Sequence, residues 1–175
     1  HLLTLTGFLD DSFAHRSYRI LGTHTSLSTG CSGREKGLLY GRLLAFDDAV
    51  LCGYGRGNVH WSNQLEDGPY RFFAVDRKSG ETRWSKPADI RADALILAGD
   101  TLLAAGMPVR PGSAPPLPEE GGPKAMLLAL GTGDGKPLAR VPLPARPVWD
   151  GMAARNDGTL VLSLQDGTVA VFGKP

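Results

Sequence analysis

The residues best equipped for chemistry stand near the start of the chain, where Asp10, Asp11, His15 and Arg16 lie among Phe8, Leu9, Phe13, Tyr18 and Ile20. An imidazole titrates near neutral pH, so this group can line a groove and bind a ligand there. It can equally be a structural network in which Arg16 pairs with Asp10 or Asp11 and fixes a loop. A second group, His60 and Trp61 with Asn63 and Gln64, falls in a polar excursion from Arg56 to Pro69. A Trp among polar side chains on a loop suits a sugar or another ring, since loops on rigid β scaffolds carry much of the binding. The same Trp can cap the edge of a sheet. No G-x-S-x-G elbow, H-E-x-x-H or C-x-x-C occurs. Gly53, Gly55 and Gly57 imitate a dinucleotide fingerprint, but no amphipathic helix follows them. Residues 131–136 imitate a phosphate loop, but the spacing fails and Pro137 follows the Lys.

The elements that must position these groups are strands. From Phe72 to Trp84 the chain reads F-F-A-V-D-R-K-S-G-E-T-R-W. Phe72 and Ala74 point to one face and Phe73 and Val75 to the other, as in a strand covered on both sides. Residues 77–80 form a polar turn in which Gly80 can take positive φ, and a second strand ends at Trp84. The plan recurs from Ala129 to Ala139, where Gly135 stands 55 residues after Gly80, and in part at Thr168–Gly173. Upstream of each copy lies an apolar strand, a short polar turn with an acidic residue and another apolar strand: Leu43 to Gly55, Leu95 to Gly106, and Met152 to Leu164. Near the end, Asp166 and Gly167 give a strong hairpin signal between Leu160–Leu164 and Val169–Val171. Short strands recurring at about 40–50 residues predict an all-β fold, a partial β-propeller of about three to four blades of antiparallel four-stranded sheets. A β-sandwich needs as many strands but no recurring half-units.

The blades are expected at about 1–40, 41–91, 92–144 and 145–173. A Pro/Gly-rich surface insertion is expected over 109–124, where five prolines exclude sheet pairing. The last blade has room for three strands, which predicts that a segment N-terminal to the chain completes it. Composition agrees with one turn-rich domain: 175 residues with 23 Gly and 13 Pro, about a fifth of the chain. The net charge of +1 has no basic stripe, so no nucleic-acid partner is expected. No run approaches the ~20 apolar residues of a membrane span, and the start has no basic signal-peptide region. Cys31 and Cys52 can form a disulfide, and Cys52 also fits as a small buried strand residue.

The pattern A-x-D-x-x-[ST]-G-x-x-x-W, met by Ala74, Asp76, Ser79, Gly80 and Trp84, resembles the PQQ-like β-propeller repeat, the superfamily of quinoprotein alcohol dehydrogenases and of the outer-membrane assembly lipoprotein. The segments G-F-L-D-D-S at Gly7–Ser12, H-R-S-Y at His15–Tyr18, G-R-L-L-A-F-D-D at Gly41–Asp48 and W-D-G-M-A-A at Trp149–Ala154 look like the C-terminal part of large propeller proteins of planctomycete type. The resemblance implies a periplasmic or extracellular scaffold of the bacterial envelope. Its partners would be a protein or carbohydrate ligand and the remaining propeller blades of a longer chain. It also offers an alternative: a quinone-dependent dehydrogenase or a polysaccharide-acting enzyme, completed by further blades. Quinoprotein dehydrogenases hold PQQ under a vicinal disulfide beside a calcium ion. Here Cys31 and Cys52 are not adjacent and no calcium spacing is recognisable, so neither PQQ nor calcium is expected from this segment.

Overall fold

A computed structural model describes residues 2–4, 19–21, 39–55, 70–109 and 124–173. Within them the chain forms four antiparallel sheets, each an up-and-down meander with its strands in chain order. The first holds β1 (Leu2–Thr4), β2 (Arg19–Leu21) and β3 (Leu39–Gly41). The second holds β4 (Leu43–Phe46), β5 (Val50–Gly55), β6 (Arg71–Asp76) and β7 (Thr82–Pro87). The third holds β8 (Ile90–Ala98), β9 (Thr101–Pro108), β10 (Met126–Gly131) and β11 (Pro137–Pro142). The fourth holds β12 (Pro147–Ala154), β13 (Leu160–Leu164) and β14 (Val169–Phe172). No helix occurs among the described residues, so none there is long and apolar enough to cross a membrane.

Burial follows the period of two that the sequence shows. In β13, Leu160, Leu162 and Leu164 are buried while Val161 and Ser163 are half-buried. Third-sheet residues Ala92, Leu95, Leu102, Ala104, Leu128 and Leu130 share a core with second-sheet residues that include Leu43, Tyr54, Phe72 and Trp84. From the same sheet, Ala94, Ala105 and Leu127 share a second core with Met152, Leu160, Leu162 and Leu164 of the fourth. The third sheet is thus buried on both faces against two different sheets, which a two-layer sandwich cannot provide. Each large side chain so buried contributes about 1.5–3 kcal/mol.

Among the second, third and fourth sheets the strands that approach one another most are the first of each, β4 with β8 and β8 with β12, while β7 and β11 are outer edges. First strands gathered at a hub with last strands at the circumference make these three sheets successive blades of a partial β-propeller. Two blades have four strands and two have three among the described residues. Alanines hold the central blade close to its neighbours: Ala92, Ala94, Ala104 and Ala105 are all fully buried. Cys52, on β5, is a buried free thiol, and burial pushes it up to about 12, far from reactivity. Cys31 lies outside the described residues.

One rim of the hub is built from tight turns closed by aspartates. Asp47 accepts hydrogen bonds from the amides of Ala49 (2.7 Å) and Val50 (2.8 Å), and Asp76 from those of Lys78 (2.9 Å) and Ser79 (3.1 Å). Asp134 and Asp157 do the same for Lys136 and Thr159. These side chains mimic a backbone turn and satisfy amides that no ladder reaches. Gly80, at φ +74, completes the turn after Asp76, where a side chain would be strained.

Asp76 also accepts from Arg83 at 2.7 Å, and this bond, with the two turn amides, holds its carboxyl at about 2 against an ordinary 3.8. A depressed carboxyl pKa stabilises the fold fully above the ordinary value and loses that effect as the pH falls to the folded one. The stability difference between the wild-type chain and Asp76→Asn is therefore expected to be constant above about pH 4 and to shrink between there and about pH 2. Thermal melts across that range measure it. A difference that does not change with pH would show that the carboxylate is not engaged.

Candidate functional site at the open rim of the hub

The opposite rim is built differently. The chain leaves β5 at Gly55 and re-enters at Tyr70 on this side, and it leaves β9 after Pro108 and re-enters before Met126 on the same side. The starts of β4, β8 and β12, the first strands of the second, third and fourth sheets, also lie here, and they bring together Arg42, Arg91, Asp93, Arg146, Trp149 and Asp150.

Two irregularities aim these groups. In β8 the register with β9 shifts between Ala92 and Ala94, which frees Asp93 from the ladder. Asp93 is 2 % exposed and accepts two hydrogen bonds from Arg146, Nε to Oδ2 at 2.8 Å and an Nη to Oδ1 at 3.0 Å. This fork ties the third blade to the entry of the fourth with two charge-assisted bonds.

The second irregularity is larger. In β12 the ladder with β13 runs from Pro147 opposite Leu164 directly to Met152 opposite Leu162, so the four residues 148–151 face only Ser163. A bulge of this size bends its strand and redirects side chains, a device common beside functional sites. Asp150 sits within it at φ +55, the one non-glycine residue with positive φ among those described. Such a conformation costs on the order of 1–3 kcal/mol and persists only where the surroundings impose it. Val148 and Trp149 stay exposed, at 38 % and 39 %.

The bulge carries Trp149 across the hub to the second blade. The Arg42 guanidinium lies over its ring, 4.6 Å from the centroid. Arg42 is buried, and its Nε has no hydrogen-bond partner among the described residues. Beneath it Tyr54 stacks on Tyr70 at 5.0 Å and tilts against Phe72 at 5.2 Å. Burial pushes the Tyr54 phenol well above its usual range, offset in part by Arg42, Arg91 and the Ala92 amide. Chemically the rim can stack a ring or planar group on the part of Trp149 that Arg42 leaves exposed.

Asp10, Asp11, His15, Arg16, His60 and Trp61 lie outside the described residues. The repeat-motif residues have local roles. Ala74 is fully buried, and Ser79 Oγ accepts from the Glu81 amide at 3.2 Å. The Trp84 indole donates to the Thr132 carbonyl of the next blade at 2.8 Å and covers Gly135, at φ +65. Asp166 accepts from Thr168 through both amide and hydroxyl, with Gly167 at φ +85. The hub residues Arg42, Asp93, Arg146, Trp149 and Asp150 escape a search for one catalytic motif because they come from three separate strand starts: Arg42 at β4, Asp93 at β8, and Arg146, Trp149 and Asp150 at β12. A usable signal was Asp93, a lone acid inside the apolar run I-R-A-D-A-L-I-L-A.

Among the described residues Asp93 is committed to Arg146, no three His, Cys, Asp or Glu side chains converge, and Cys52 has no cysteine next to it in sequence.

No protein-family model matches the chain, and no curated protein matches it. Among solved structures it is similar to the crystal structure of BamB from Moraxella catarrhalis, at 14 % identity and a TM-score of 0.30 over 74 % of this chain and 48 % of that one. The chain thus spans about half the length of that structure. The propeller assignment rests on the stacking of the sheets described above.

Proposed function

We propose that the chain is a non-catalytic binding or assembly scaffold of the bacterial envelope, which takes a protein partner at the open rim of the hub. The observation that carries this reading is the bulge at 148–151, which holds a partly exposed Trp149 over a buried Arg42 at the cost of a strained Asp150. Aromatic and Arg side chains dominate the anchors of protein interfaces. The opposite rim spends its polar groups on its own turns. The envelope setting follows from the sequence resemblance alone.

Capture from an envelope extract of the encoding organism, with cross-linking and quantitative mass spectrometry, tests the proposal. Trp149→Ala removes a cation–π contact of about 0.5–2 kcal/mol, which should leave the chain folded. Loss of that anchor is expected to lower recovery of the partner by roughly tenfold or more. Phe46→Ala, at the turn rim, is expected to leave recovery unchanged. Equal recovery by wild type and both variants would contradict the proposal.

A further inference from the structure

We infer that Trp149 is a two-position latch on the mouth of the hub. Docked on Arg42, it clasps the fourth blade to the second. In its released position the ring leaves Arg42, the bulge at 148–151 relaxes, and the clasp is open.

The segment that carries the latch is held on either side of its strained residue. Arg146, before the bulge, is fixed to Asp93 of the third blade by two charge-assisted bonds. Met152, after it, is buried and back in the ladder opposite Leu162. Between these points residues 148–151 face only Ser163, so the ladder does not dictate their conformation. A contact from another blade reaches them instead, the Arg42 guanidinium 4.6 Å from the centroid of the Trp149 ring.

Two costs oppose the docked position. Asp150 is held at φ +55, a region that residues with side chains keep only where their surroundings over-determine it. Arg42 is buried, and its Nε, bonded to the carbon under the ring, has no hydrogen-bond partner among the described residues. A buried donor without a partner carries a desolvation penalty, which water relieves once the ring lifts. Against these stand the cation–π contact and the apolar surface that docking covers. Costs and gains are of the same order, which is the condition for a populated second position.

The backbone of Asp150 therefore sets the balance. Glycine takes positive φ without strain. Alanine does not, and it lacks the local polar bond by which aspartate tolerates that region. Both replacements delete the carboxylate, so their difference isolates the backbone. The latch needs no partner to operate, so its failure and a failure of partner capture are separate results.

Relaxation dispersion on the labelled 175-residue chain, read at the Trp149 indole N–H, tests the latch. The wild-type chain is expected to show microsecond-to-millisecond exchange with a minor released population, while the Trp84 indole, bonded to the Thr132 carbonyl, shows none. Asp150→Gly is expected to lower the released population by roughly tenfold, and Asp150→Ala to raise it. A wild-type Trp149 indole without exchange would overturn the inference, as would a change in the same direction in both variants.

Discussion

Replacing Trp84 with Ala is expected to lower the free energy of unfolding by about 3–5 kcal/mol, the range for removing a large buried aromatic. Trp84 is only 8 % exposed, and its indole N–H reaches the Thr132 carbonyl of the neighbouring blade at 2.8 Å. Truncation therefore opens a cavity between blades and leaves a buried carbonyl short of its donor. The partner of the ring is Gly135, where an added Cβ would fall 2.6 Å from the indole. Gly135→Ala is expected to destabilise too, from that clash and from its positive φ. Because both changes act on one contact, the double variant should lose less than the sum of the two, and urea denaturation of all four chains measures the coupling. Strict additivity would mean that ring and glycine do not meet.

The second large effect is expected at the hub. Arg146→Met leaves Asp93 charged, 2 % exposed and without its forked partner, and should cost about 3–5 kcal/mol. Adding Asp93→Leu removes the stranded charge and should recover most of that loss, since an ion pair replaced by apolar groups of similar size is often neutral. If Arg146→Met alone changed stability little, the pair would be solvated and would not tie the blades together.

The architecture was legible because each local signal acts over a few residues. Alternation in F-F-A-V and L-V-L-S-L gives strands, and Asp76 with Gly80 or Asp166 with Gly167 gives the turns between them. Recurrence of such hairpins then makes a propeller of what would otherwise be isolated pairs. The hub was not legible, for the opposite reason. Arg42 and Trp149 meet only after 106 intervening positions have folded into two blades and their connections, and Asp93 and Arg146 only across the central blade. The bulge that aims Trp149 is a register shift, which no residue type announces. Reasoning from residue type instead favours Asp10, Asp11, His15, Arg16, His60 and Trp61, where polar groups crowd together in sequence and need no fold to bring them close.

Face-to-face stacking of successive hairpins about one hub is tested most directly by the proton environment of the Trp84 indole in solution. Nuclear Overhauser spectra of the labelled chain should connect the indole N–H and ring protons of Trp84 to Thr132 and Gly135, with the Gly135 α-protons shifted upfield by the ring lying over them. An indole N–H that exchanges rapidly with water and shows contacts only to its own blade would mean that the hairpins are not stacked as spokes, and would contradict the account.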